Sequence, residues 1–483
     1  MINADRLAPL FTSGSIAVIG ASRDVTKWGF NVLKHLIDGG FKGHIYPVNP
    51  NEDELLGRTV YRDIADIPEK PDLAVVIVPP PAVVQVIRQC VGKGIRSGIV
   101  ITAGFAELGD EGARLQAEMV AEARKGGMAL VGPNCNGVMS PWNRQYVQFP
   151  PFFTPPGKFA VVAQSGNVMD VLARQAMLKG LGCSACVASG NEADLHTEDY
   201  LEYMGDDPHT RVIMCYTEGF KDGRRFLRVA SEVSKKKPII MVKVGKTQAG
   251  ARAAASHTAS IAGSDRIFDA VCKQAGVIRA GSLDEMLDTA IAFLRQPLPR
   301  GRRLGIVTAG GGWGVLAADA CAERGFDVVK LPDEVISELD KLLPAWWNRG
   351  NPVDLVAGAR ADNIYKAVEV VMRCPEVDAM AFLSIMPALR IRSFLSPSSE
   401  EEKQNWGSIV TEATLAAMEE FNALSQKYAK PLVVASELLF ADAVQDINIA
   451  YALGQRELII HHMPHQAARA LDALASYSEY LRR

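Results

Sequence analysis

His257 stands in GARAAASHTASIAGSD, a run of small residues between a predicted strand ending near Gly245 and a predicted helix beginning near Asp265. Ala and Gly on both flanks offer little to anchor the segment by packing, so it could carry an exposed imidazole. Histidine is a nucleophile and an acid–base group near neutral pH; an ordinary loop histidine is the competing reading. Glu218 follows the predicted strand in RVIMCYTEG. A carboxylate at the C-terminal end of a parallel strand lies on the side where such sheets place their sites. It could hold and polarise an imidazole, or be a solvated strand-end acid.

Three strand–turn–helix starts could bind anions, because a helix N-terminus offers free N–H groups and a partial positive charge. The first is IGASRDVTKWG, with Gly20 and Gly29. It lacks the second glycine of a dinucleotide fingerprint, and the next strand ends in Val48-Asn49-Pro50 with no acid for a ribose. A phosphate-bearing cofactor other than NAD fits it, as does a structural turn. The second is VVAQSGNVMD, where Gly166 allows close approach and Ser165 and Asn167 can cap or bind an anion. The third is VTAGGGWGVLAADA, whose glycines Gly310, Gly311, Gly312 and Gly314 cost backbone entropy. It lacks the Lys-Ser/Thr of a P-loop.

The remaining reactive residues read as structural. Cys183 and Cys186 form a lone CxxC with no second pair spaced for zinc. Strand alternation predicts their thiols on opposite faces. His461, His462 and His465 read as surface residues, and no metal site is expected.

The elements that must position these groups are legible as apolar runs alternating with amphipathic helices, the pattern of βαβ units on parallel sheets. Pro-rich segments at 149–158 and 295–303 divide them. The expected domains are 1–150, 151–298 and 299–483. A polar stretch from Ser393 to Gly407 reads as a surface loop or lid, and a helix from Pro464 to Leu481 closes the last unit. The 483 residues carry 52 Lys and Arg against 55 Asp and Glu. That balance gives no reason to expect nucleic acid or an anionic membrane as partner. No apolar run spans a bilayer, no signal peptide is recognisable, and eight cysteines in so long a chain suit a reduced cytoplasmic setting.

Together these segments resemble the NDP-forming acyl-CoA synthetases, the superfamily of succinyl-CoA synthetase, over nearly the whole chain. VIGAS, YPVNPN, VIVPPP, ITAGFAELG and GPNCNG resemble the family's CoA-binding domain. AQSGN, GNEADL, TEG and SHTASIAG resemble the first of two ligase domains, and AGGGWG and NPVDL the other. The resemblance implies an α/β fold of three domains: a Rossmann-like CoA-binding domain and two flavodoxin-like ligase domains. It implies that His257 carries a phosphoryl group and that Glu218 orients the imidazole. Phosphate would be held between two helix N-termini, at Gln164, Ser165, Gly166 and Asn167 and at Gly310, Gly311 and Gly312. CoA would use Gly20, Ala21, Ser22, Arg23, Asn49, Asn51, Pro79, Ile101, Thr102 and Ala103; Arg23 and Lys27 could add charge for its phosphates.

The implied reaction joins a carboxylic acid to CoA at the expense of ATP, through phosphohistidine and an acyl phosphate, or runs in reverse. Fixed helix dipoles would stabilise the moving phosphoryl charge. The alternatives are a silent CoA-binding regulatory protein and an NAD(P) dehydrogenase. Two departures stand out. Trp313 occupies a position where the family commonly has Pro, and with Trp346 and Trp347 it suggests either an aromatic-lined acyl pocket or packing between domains. No segment resembles the ATP-grasp domain that would bind most of the ATP and Mg2+. The chain is therefore expected to be an α subunit or a portion of a fused enzyme. It would work in a hetero- or homo-oligomer with an ATP-grasp subunit or domain.

Overall fold

The computed structural model describes residues 4–250, 252, 264–356, 361–383, 400–437 and 448–483. Two compact units emerge: Met1–Met177 with Gly182–Leu283, and Leu178–Leu181 with Asp284–Arg483. Among the described residues the first unit holds two large sheets and a short two-stranded ribbon, Glu54–Leu55 with Arg58–Thr59, and the second unit one sheet.

The first sheet is all parallel. Its spatial order is His44–Val48, Ser15–Ile19, Leu73–Val76, Ser97–Val100, Ala129–Val131. Four of these strands are buried along their whole length, as expected where helices cover both faces. Renumbered along the chain, the order is 2-1-3-4-5. The second sheet repeats it with Pro156–Ala163 as strand one, then Cys183–Ala188, Val212–Thr217, Ile239–Lys243 and Ile278–Arg279. The third sheet, alone in the second unit, repeats it again with Arg303–Thr308, Asp327–Val328, Ala379–Leu383, Leu432–Ala435 and Ile460–His461. In such sheets the crevice opens at the C-terminal ends of strands one and three, where the winding direction reverses.

The hairpin Gly137–Ser140 and Gln145–Gln148 does not join the first sheet. It pairs antiparallel with Cys183–Ala188 and extends the second sheet. The chain thus changes sheets after Val131, ahead of the division expected at 150.

Four further expectations change. Of the polar stretch 393–407, residues 393–399 lie outside the described residues, and 400–407 begin the 29-residue helix Glu400–Tyr428 instead of continuing a loop. The two CxxC thiols share a face. Phe159 pairs with Cys183 and Ala160 with Ala185, so Ser184 is an extra residue that reverses the alternation. Cys183 and Cys186 are hydrogen-bonded to each other, and that bond together with burial pushes the Cys186 thiol up. Trp347 is buried in the core of the second unit, with its indole N–H donating to Asp340 Oδ1 at 2.7 Å, while Trp346 is 72% exposed. His461 is buried at the end of the last strand of the third sheet, and neither ring nitrogen has a hydrogen-bond partner among the described residues. A neutral ring is forced there, and burial pulls its pKa down to about 4.

Candidate functional site

At the crevice of the first sheet, Gly20 ends strand one at φ +93°. A Cβ there would lie 2.2 Å from the Ile77 carbonyl oxygen, so only glycine lets strands one and three stay this close. Gly29 packs its backbone onto the same turn; a Cβ would lie 2.0 Å from the Gly20 carbonyl. The helix Trp28–Asp38 therefore starts directly against the turn, with no acidic residue in its first turn. Asn49 Nδ2 donates to the Ala21 carbonyl at 2.6 Å, and its Oδ1 accepts from the Asn51 N–H at 2.9 Å. Thr102 Oγ1 donates to the Val78 carbonyl at 2.8 Å. Asn49 and Thr102 thus build the rim. Ser22 Oγ accepts from the Asp24 N–H, Arg23 is ion-paired with Glu52, and Lys27 is exposed at the helix start. Pro79 precedes the helix Pro80–Gly92, Ile101 is buried and Ala103 is half-buried.

The crevice of the second sheet brings Gln164 and Glu218 together. Gln164 leaves strand one and Glu218 leaves strand three, and the two strands are paired neighbours. Gln164 Oε1 accepts the Glu218 N–H at 2.6 Å, while its Nε2 donates to the Gly219 carbonyl at 2.9 Å and to Glu192 Oε2 at 3.0 Å. Ser165 sits just before the helix Gly166–Leu178, its carbonyl accepting from the Met169 N–H. That helix also lacks an acid in its first turn, and Asn167 is exposed there. Gly166 is required by contact: a Cβ would lie 2.2 Å from Asn136 Cγ. Asn136 in turn donates to Asp170 Oδ2 at 2.9 Å, and burial pushes the Asp170 carboxyl up to about 6. The segment carrying His257 leaves the neighbouring strand Ile239–Lys243, whose Lys243 pairs with Thr217; His257 itself lies outside the described residues.

In the second unit, Gly310 precedes the helix Gly311–Ala322, which has no acid in its first turn. A Cβ at Gly310 or Gly312 would meet no atom within 4 Å, and one at Gly311 would come within 2.9 Å of Asp354. Thr308 Oγ1 donates to the Gly310 carbonyl and accepts the Gly310 N–H. Thr217 makes the same pair of bonds with Gly219, so TEG and TAG end their strands alike. Asn351 of NPVDL is a brace: its amide serves the Ile306 N–H and the Leu304 and Val329 carbonyls. Trp313 packs half-buried against this unit's core.

Three family models cover most of the chain: a CoA binding domain at residues 14–141, a succinyl-CoA ligase like flavodoxin domain at 156–293, and a ligase-CoA domain at 304–388. The acetate–CoA ligase (ADP-forming) I subunit alpha of Pyrococcus furiosus is 38% identical over 478 residues, 98% of each chain. The chain belongs to the ADP-forming acyl-CoA ligases. The 4-hydroxybutyrate–CoA ligase (ADP-forming) of Nitrosopumilus maritimus, another such ligase, is 32% identical over 98% of this chain and 65% of its own length. Among solved structures, the acetyl-coenzyme A synthetase 1 of Ca. Korarchaeum cryptofilum in complex with phosphate and ADP aligns over 99% of this chain and 98% of that one. Its TM-score is 0.84 at 34% identity.

Among the described residues no cluster of His, Cys, Asp and Glu could hold a metal ion, and no helix is long and apolar enough to cross a membrane. Sequence reasoning missed Glu192, Asn136 and Asp170. All three lie in segments already visible, GNEADL, GPNCNG and VVAQSGNVMD, but membership carried no role for them.

Proposed function

We propose that this chain is the α-type part of an ADP-forming acyl-CoA ligase. In this reading the His257 imidazole attacks the terminal phosphorus of ATP and releases ADP. The phosphoryl group then passes to a carboxylate oxygen, giving an acyl phosphate. The CoA sulfur, losing its proton, attacks the acyl carbon and phosphate leaves. Splitting one uphill condensation into activated steps is what covalent catalysis achieves. Glu218 orients the imidazole, and the helix starts at Gln164–Asn167 and at Gly310–Gly312 supply N–H dipoles for the phosphoryl charge. CoA binds along Gly20–Arg23, Asn49, Asn51, Pro79 and Ile101–Ala103, with Arg23 and Lys27 near its phosphates. An ATP-grasp subunit or domain supplies most of the ATP and Mg2+ contacts within a larger oligomer. The domain limits proposed along the chain are 1–150, 151–298 and 299–483, with the hairpin that ends the first stretch pairing into the second sheet. All eight cysteines are buried and unpaired, which suits a reducing cytoplasm.

The observation that carries this reading is the 2.6 Å bond from the Glu218 N–H to Gln164 Oε1, which ties the proposed phosphate turn to the proposed histidine partner at one sheet edge. The test is label transfer from γ-labelled ATP with an ATP-grasp subunit supplied. Wild-type chain should take up acid-labile label and His257→Ala none. Equal labelling of the two would overturn the assignment.

A further inference from the structure

Glu192 is a polar residue with no solvent to serve: it is 3% exposed. Its backbone is left-handed, at φ +49°, a conformation that costs a non-glycine residue and persists only where surrounding contacts impose it. Those contacts are dense. Ser189 Oγ and Thr197 Oγ1 donate to Glu192 Oε1 at 2.8 and 2.7 Å. Lys221 Nζ donates to the carbonyls of Asn191 and Glu192. The second carboxylate oxygen is left for Gln164 Nε2, at 3.0 Å.

That last contact carries information. A glutamine amide can sit either way round, and its partners decide which. Gln164 has acceptors on one side, Glu192 Oε2 and the Gly219 carbonyl, and a donor on the other, the Glu218 N–H. Burial raises the Glu192 carboxyl above its usual range, while the Thr197, Ser189 and Gln164 donors and the Lys221 charge lower it. With those three donors aimed at its two oxygens it serves as an acceptor and admits the Nε2 end of the amide. The Oε1 end is then presented to Glu218.

We propose that Glu192 is a positioning residue for the phosphoryl-transfer site: its carboxylate sets the orientation of the Gln164 amide and thereby fixes the backbone of Glu218. This rests on the reading that Glu218 orients a phosphorylated His257. The same loop is anchored on the CoA-binding side, where Asn191 Nδ2 donates to Glu107 and Gln116. Those bonds hold the loop, and Glu192 sets the polarity.

The decisive variant is Glu192→Gln, which keeps shape and volume. Its amide oxygen can still accept from Ser189 and Thr197, but its NH2 then faces the Gln164 NH2. Either that bond is lost or Gln164 turns over and loses the Glu218 N–H. With the ATP-grasp subunit present, kcat should fall at least tenfold while KM for CoA stays within twofold. Gln164→Glu, on the more accessible side of the contact, sets two carboxylates against each other and should cause a similar fall; it also serves if Glu192→Gln does not fold. In Gln164→Glu/Glu192→Gln the donor and acceptor exchange places, so at least part of the lost rate should return, a non-additivity that loss of packing would not produce. Glu192→Gln within twofold of wild type, or losses that simply multiply in the double variant, would overturn the proposal. His257→Ala and Glu218→Gln in the same assay keep the two ideas apart. If Glu218→Gln collapses and Glu192→Gln does not, only the positioning role falls. If His257→Ala still labels, the underlying reading falls.

Discussion

Glu198 is 1% exposed, in the first turn of the helix Thr197–Asp206, and its Oε1 has no hydrogen-bond partner among the described residues. Burial first, then the nearby charges of Glu192 and Asp199, push its carboxyl up to about 7, against the lowering pull of a backbone hydrogen bond and Arg225. Arg225 is already engaged by Asp199. Replacing the group by its neutral isostere, Glu198→Gln, should therefore relieve a cost that depends on pH. The folded pKa lies above the ordinary value of 4.5, so folding takes up a proton between those two values. The wild-type stability contributed by this group is intact below about pH 4.5, is lost as pH rises towards 7, and is flat beyond. At 1.36 kcal/mol per unit, a rise of about 2.5 units corresponds to about 3 kcal/mol. For a unit of roughly 280 residues that is a difference of about 5 °C in melting temperature. The assay is thermal or urea unfolding of both proteins from pH 4.5 to pH 8. The quantity compared is the change in the difference with pH, which removes any constant effect of the buried amide. The difference should move in favour of Glu198→Gln by about 3 kcal/mol, most of it by pH 7. A difference constant across that range to within about 0.5 kcal/mol would mean that Glu198 titrates normally, and the reasoning from burial would be wrong.

His461 gives the opposite pH window. Its folded pKa of about 4 lies below the ordinary 6.5, so stability is intact above about pH 6.5 and is lost as pH falls towards 4, by about 3 kcal/mol; His461→Leu should flatten that acid limb in unfolding curves. Gly20→Ala would drive a Cβ to 2.2 Å from the Ile77 carbonyl at a left-handed φ, so it should cost about 2 kcal/mol or more and weaken CoA binding by calorimetry. Gly166→Ala should stabilise by up to about 1 kcal/mol on helix propensity alone. Contact with Asn136 at 2.2 Å predicts a lower melting temperature instead, with slower phosphoryl transfer and CoA affinity unchanged within twofold.

The glycine-ended strands were legible because strands buried on both faces read as unbroken apolar runs, and SIAVI runs into Gly20 and CSACVA into Ser189-Gly190. What escaped was set by partners distant in the chain. The register slip at Ser184 depends on how Phe159 and Ala160 pair across the ladder, and no local period announces it. His461 sits beside His462 and a Met-Pro turn, which reads as surface, yet the third sheet buries it. Asn351 was visible within NPVDL, but only the fold reveals three backbone groups waiting for its amide. For the candidate site, the position of Glu218 followed from a strand end. Glu192 did not, because its importance lies in the Gln164 amide it faces.

The hairpin Gly137–Gln148 has a consequence for taking the protein apart. The CoA binding family match ends at residue 141, inside the turn Pro141–Asn143 between its two strands. A fragment cut there would carry away half the hairpin and leave Cys183–Ala188, six consecutive buried residues, with an open edge. Such an edge recruits other chains and aggregates. In the intact molecule the outermost strand is sealed through Gln145, whose amide donates to the Leu10 carbonyl and accepts the Ser13 N–H. A swap of CoA-binding modules between relatives should therefore leave both strands, and the Ala4–Phe11 helix that seals them, with the second sheet.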